Sequence, residues 1–98
     1  MFLHLGGDYY IPKKDLISII DVESSIKSKY TREFFRMAEE EGFVVKITKD
    51  SPKSIVISEK LCKDKSRRSV IFYSPISSHT LMKRAEHLEN SIIELEVK

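Results

Sequence analysis

The residues with the clearest chemical capacity are basic ones in the middle of the chain. Lys46, Lys49, Lys53, Lys60, Lys63, Lys65, Arg67 and Arg68 stand against Asp50, Glu59 and Asp64, a surplus of five, while the whole chain carries a net charge of only +2. Charge is therefore polarised into one central stretch. Cations at this density displace the counterions condensed on a phosphate backbone, which gives salt-sensitive contact that carries no base information. The spacing shows no helix-turn-helix, zinc finger or aromatic platform for stacking bases.

The remaining candidates for chemistry point elsewhere or nowhere. His4, His79 and His87 have neither the i, i+4 spacing of a helical metal pair nor a cysteine partner at zinc-site spacing, so no metal is expected. Gly6-Gly7 lacks the third glycine and following helix of a dinucleotide loop, and no Lys-Ser/Thr phosphate loop is present, so no nucleotide cofactor is expected. Cys62 lies among Lys60, Lys63 and Lys65, the setting either of a reactive thiol or of an incidental loop residue. The run Glu39-Glu40-Glu41 is a solvated charge run rather than an acid–base pair, because adjacent helical residues do not face each other. No catalytic residues are assigned, and the chain is read as non-enzymatic.

At 98 residues, 41% hydrophobic and 33% charged, the chain has the length and composition of one folded domain. One cysteine cannot form an internal disulfide, no signal-peptide pattern opens the sequence, and no apolar run approaches the ~20 residues that span a bilayer. A cytoplasmic protein without membrane contact is the expectation.

The elements that must carry the basic residues follow from local pattern. Residues 2–5 and 9–11, joined by Gly6-Gly7-Asp8, predict a β-hairpin, and the β-branched segment 16–20 a third strand. A helix is expected within 24–42, with Thr31 as N-cap, Phe34, Phe35 and Ala38 as its anchoring face and Gly42 closing it. Residues 43–47 and 54–58 read as a second hairpin with the basic tip 49–53, and a mainly cationic interval 60–69 leads into a strand at 70–73. After Ser74-Pro75, with Ser77 or Ser78 as cap, Leu81, Ala85, Leu88, Ile92 and Leu95 predict a second helix, although residues 93–97 also alternate as a strand would. The predicted class is α+β: a small antiparallel sheet of hairpins with two helices, in a single domain. Residues 1–90 form the domain and 91–98 a C-terminal extension.

Several of these segments together resemble a known family. They are His4-Leu5-Gly6 with Asp8, the run from Asp15 to Asp21, Pro52-Lys53-Ser54-Ile55-Val56, and the stretch Tyr73-Ser74-Pro75-Ile76-Ser77-Ser78 followed by Thr80-Leu81 and Lys83-Arg84-Ala85. The chain is similar over residues 1–88 to the RemA/RemB extracellular matrix regulators. That resemblance implies a DNA-binding transcriptional regulator of biofilm matrix genes, assembling as a homo-oligomeric ring that presents basic loops to double-stranded DNA. In the RemA branch, arginines stand before the third strand and in the turn preceding a later strand; here Asp15, Asp50 and Ser51 occupy those positions. Lys13, Lys14, Lys49 and Lys53 flank them, residues 60–68 resemble an insertion that lengthens a short hairpin, and Arg67-Arg68 is a candidate substitute for the displaced arginines. The expected phosphate-contacting set is thus Lys13, Lys14, Lys49, Lys53, Arg67 and Arg68, with Lys83-Arg84 serving helix packing or a subunit contact.

Two classes of function fit this reading. One is an oligomeric DNA-binding regulator; the other is a protein-interaction module that modulates a RemA-like regulator, which the acidic replacements favour.

Overall fold

A computed structural model describes residues 1–97, with side chains through Leu88. The chain runs β1 (Phe2–Gly6), β2 (Tyr9–Pro12), a 3-10 turn (Lys13–Asp15), β3 (Leu16–Asp21), α1 (Val22–Ser25), α2 (Lys29–Glu40), β4 (Val44–Lys46), β5 (Ser54–Leu61), β6 (Arg67–Ser74) and α3 (Ser78–Val97). The α+β expectation holds. Strands β1 and β2 form a two-stranded antiparallel sheet, and the other four make a sheet of order β3-β5-β6-β4.

Three layers result from the alternation of side chains along β5 and β6. On one face Val56 packs with Leu3, Leu5 and Ile11 of the β1–β2 hairpin and Leu81 of α3, with Phe72, Ile76 and Leu88 completing the cluster. On the other, Ile55 and Ile71 meet Phe35 and Ala38 of α2. Leu5, Val56 and Leu81 are fully buried, and each such side chain stabilises the fold by about 2 kcal/mol relative to exposure.

Several local expectations are corrected. The second hairpin does not form: β4 pairs in parallel with β6, Val44 opposite Ile71, and β6 separates β4 from β5. The reason is the backbone pairing of β6. Residues 70–73 form a strand that must be covered on both edges, and the seven-residue link 47–53 is long enough to cross the ~10 Å over one intervening strand. Residues 49–53 are consequently a crossover rather than a hairpin tip, and one strand pairing is parallel.

Helix α2 is capped by Ser28, whose hydroxyl accepts from Thr31 N at 3.3 Å, so Thr31 lies one turn inside the helix. Ser28 has the β-region backbone that an N-cap needs. Phe35 and Ala38 are buried, as the anchoring face requires, but Phe34 is 55% exposed. The one-turn α1, capped by Asp21 through Ser24 N at 3.1 Å, has too few residues to show a period and was not anticipated. At the far end α3 continues to Val97, resolving the helix-or-strand ambiguity of that backbone, while Lys98 lies outside the described residues.

Candidate nucleic-acid interface

The basic residues fall into two groups separated by the length of β5. Lys53 immediately precedes that strand and residues 62–66 follow it, so about 25 Å of extended chain lies between them. Within one chain the two central basic segments do not make one surface.

At the first end, Lys49 and Lys53 are exposed on the crossover. Its backbone is fixed to the sheet: Lys53 N donates to Ser74 O at 2.9 Å, and Val22 N donates to Lys53 O at 3.3 Å. Acidic groups accompany these lysines. A shallow cleft there is lined by Lys46, Lys49, Asp50 and Glu39, and Lys46 is engaged by Glu39 at 3.0 Å. The local charge is therefore largely offset.

At the second end, cations gather more densely. Strands β5 and β6 form a regular antiparallel hairpin in which Glu59 faces Ser69, Lys60 faces Arg68 and Leu61 faces Arg67. Lys60 and Arg68 are both exposed and share the sheet face of Val56 and Phe72, whereas Arg67 lies on the opposite face and reaches Glu59 at 3.5 Å. Lys14 belongs to this end too, because β3 runs antiparallel to β5 with Leu16 opposite Ser58; it lines a cleft of about 350 Å³ with Lys60, Arg67, Asp15 and Glu59. Lys13, one residue earlier, is half-buried, and its amide donates to Met1 O at 2.9 Å.

Of the six expected contact residues, the structure thus brings Lys13, Lys14, Arg67 and Arg68 to one end of the sheet and leaves Lys49 and Lys53 at the other. Lys60 is the residue the contact set omitted. Its relevance rests on the register that places it directly across from Arg68, which no spacing in the sequence specifies.

A different cluster accounts for the segments that carry the family resemblance. Gly6, at φ +123°, sits against Pro75, whose Cδ would lie 2.9 Å from any Cβ added there. Ser74 is fully buried; its hydroxyl donates to Leu5 O and accepts from Ile76 N at 3.0 Å. Ser54, also fully buried, donates to Ile76 O at 2.7 Å. Ser77 then caps α3 through Thr80 N at 3.2 Å. Buried hydroxyls with their partners in place tie the β1–β2 hairpin and the start of α3 to the main sheet. Arg84 supports the same junction through His4 O at 3.4 Å, a packing role for one member of the Lys83-Arg84 pair.

Other polar groups are modest in reach. His4 stacks on Tyr10 with ring centroids 4.6 Å apart and its Nε2 lies 2.8 Å from Gly7 O. Among the described residues no group of three His, Cys, Asp or Glu is placed to hold a metal ion, and no helix is long and apolar enough to cross a membrane.

The four-stranded sheet is packed on both faces, and charged side chains gather at its strand ends. The family model for RemA-like proteins, described as extracellular matrix regulatory protein A-like, matches residues 2–85. Extracellular matrix regulatory protein B of Bacillus subtilis (strain 168) is 33% identical over 88 residues, which cover 90% of this chain and 94% of that relative. The chain belongs to the RemA-like family of extracellular matrix regulators, as its motifs indicate.

Proposed function

We propose that this protein is a cytoplasmic, non-enzymatic regulator of extracellular matrix genes that binds double-stranded DNA through its phosphate backbone and acts as a homo-oligomer. Family membership supports the regulatory role. The observation that carries the DNA reading is the gathering of Lys14, Lys60, Arg67 and Arg68 at one end of the sheet, where Arg67 alone of the four is held in an ion pair among the described residues. Assembly repeats both basic ends in every copy and multiplies phosphate contacts without any new motif.

Titration of a labelled duplex at several salt concentrations, with solution mass measured in parallel, tests this. Binding is expected at low salt, with log affinity falling linearly against log salt by about 0.9 for each phosphate neutralised. Replacing Lys49, Lys53, Arg67 and Arg68 by Ala together should abolish the shift. A monomer that ignores duplex at low salt would overturn the reading.

A second reading has its own observation. Asp15 and Asp50 stand beside the basic groups, in the clefts that Lys14 and Lys49 line. A module that docks a RemA-like regulator would use such mixed charge, and co-purification with that regulator after nuclease treatment, without intrinsic duplex binding, would favour it over the first.

A further inference from the structure

The β5–β6 hairpin outgrows its sheet. Strand β3 covers β5 only as far as Ser58, and β4 reaches β6 only from Ile71, whose amide donates to Phe43 O at 2.9 Å. Residues 59–61 and 67–69 therefore form three rungs with a strand on neither outer edge, followed by the turn 62–66. This is a two-stranded arm extending roughly 10 Å before its turn.

The turn is built rather than loose. Cys62 N donates to Ser66 O at 2.8 Å, Lys65 N donates to Cys62 O at 3.0 Å, and the Asp64 carboxylate accepts from Ser66 N at 3.0 Å and from its hydroxyl. That network holds Lys65 at φ +69°, the only positive φ outside glycine among the described residues. A lysine at a position where glycine would be free of strain is a cost the fold carries at the tip.

A second unfavourable feature lies on the stem. Lys60 and Arg68 face each other directly across the two strands, and like charges at such a pair repel. Charged residues on open edges ordinarily deter aggregation, and that role is served as well by unlike pairs such as Glu59–Arg67 on the other face. What a facing lysine and arginine accommodate better than any unlike pair is an anion lying between or beside them. Lys63, Lys65 and Lys14 extend the same chemistry to the tip and the base.

Resting on the DNA-binding reading above, we infer that this arm enters the major groove of the duplex as a β-ribbon, with Lys60 and Arg68 on the flanking phosphates and Lys63 and Lys65 at its tip. The major groove, about 12 Å wide, admits a two-stranded ribbon, and phosphates on its walls lie within reach of long cationic side chains.

Three proteins test the inference: wild type, Lys60→Ala with Arg68→Ala, and a variant in which residues 60–68 are replaced by Asn-Gly, a pair suited to joining Glu59 to Ser69 by a two-residue turn. Thermal unfolding verifies that each is folded. With labelled duplex, the double variant should bind about tenfold more weakly at low salt, with a salt slope shallower by about 2. Wild type should protect guanine N7, which lies in the major groove, from methylation, and the shortened variant should lose that protection. If wild type binds duplex while both variants match it in affinity, slope and protection, the arm inference is overturned and DNA binding stands. If wild type binds no duplex, the functional reading itself falls.

Discussion

The junction around Gly6, Ser54, Ser74 and Pro75 and the arm of residues 59–69 are built from the same two strands, yet they follow opposite rules. At the junction, the ends of β5 and β6 are fully buried and their hydroxyls are matched to backbone partners from β1 and the approach to α3. In the arm, the other ends of those strands are largely exposed, and Lys60 faces Arg68 across the two strands. The difference teaches where each kind of information lies. The family signature specifies how three layers are fastened together, whereas the arm of residues 59–69 lies outside that signature.

The sharpest way to break the comparison is Gly6→Ala. It asks a side chain to adopt φ +123° and to fit 2.9 Å from Pro75 Cδ, on a proline held in place by the buried Ser74 beside it. Strain and overpacking together should cost about 3 kcal/mol, lowering Tm by roughly 15 °C in a domain of this size. Ser74→Ala comes next. It leaves Leu5 O and Ile76 N without the hydroxyl they share, at a cost of about 2 kcal/mol by denaturant titration. Ser77→Ala, which removes the cap of α3, should cost about 1 kcal/mol. Each of these should leave the salt slope of any duplex binding unchanged in the protein that remains folded.

How far the sequence discloses these two regions follows from the range of the forces involved. The β1–β2 hairpin, β3 and both long helices were legible because glycine turns, β-branched runs and helical spacing act over a few residues. The parallel β4–β6 pairing was not, since the choice between Ser54 and Ile71 as the neighbour of residue 44 depends on which strand needs covering at long range. The same limit applies to the candidate site. The lysines and arginines were visible as a charge surplus, but their division into two ends about 25 Å apart depends on β5 being one continuous strand, and the pairing of Lys60 with Arg68 on register. Phe34 shows the converse: its spacing matched that of a core residue, yet Phe35 and Ala38 already fill the available contact with the sheet.

Alkaline titration reads the junction from its other side. Burial, with the Glu39 carboxylate adding to it, holds the Tyr73 phenol protonated up to about 12 against an ordinary value of 10. The unfolded chain therefore releases this proton first, so the contribution is intact below pH 10 and is lost as pH rises from 10 towards 12. In Tyr73→Phe that part of the decline should vanish, which urea midpoints measured across the interval would detect; an unchanged decline would mean the phenol is not enclosed between α2 and the sheet.

The smallest effect on stability is the most telling for the comparison. Lys60→Ala removes one member of a facing like-charged pair on an exposed ribbon that lies outside both apolar clusters. Relief of that repulsion should leave the protein as stable as wild type or more stable by a few tenths of a kcal/mol at low salt, and the gain should fade as salt screens the pair. Duplex affinity should move the other way, falling most where salt is lowest. Opposite signs for folding and binding in one substitution are what a surface held for a polyanionic partner produces, since the charge that costs stability in the free protein is repaid only when phosphate arrives. A loss of stability in this variant would instead place Lys60 among the residues that fasten the fold, and the two regions would cease to differ in kind.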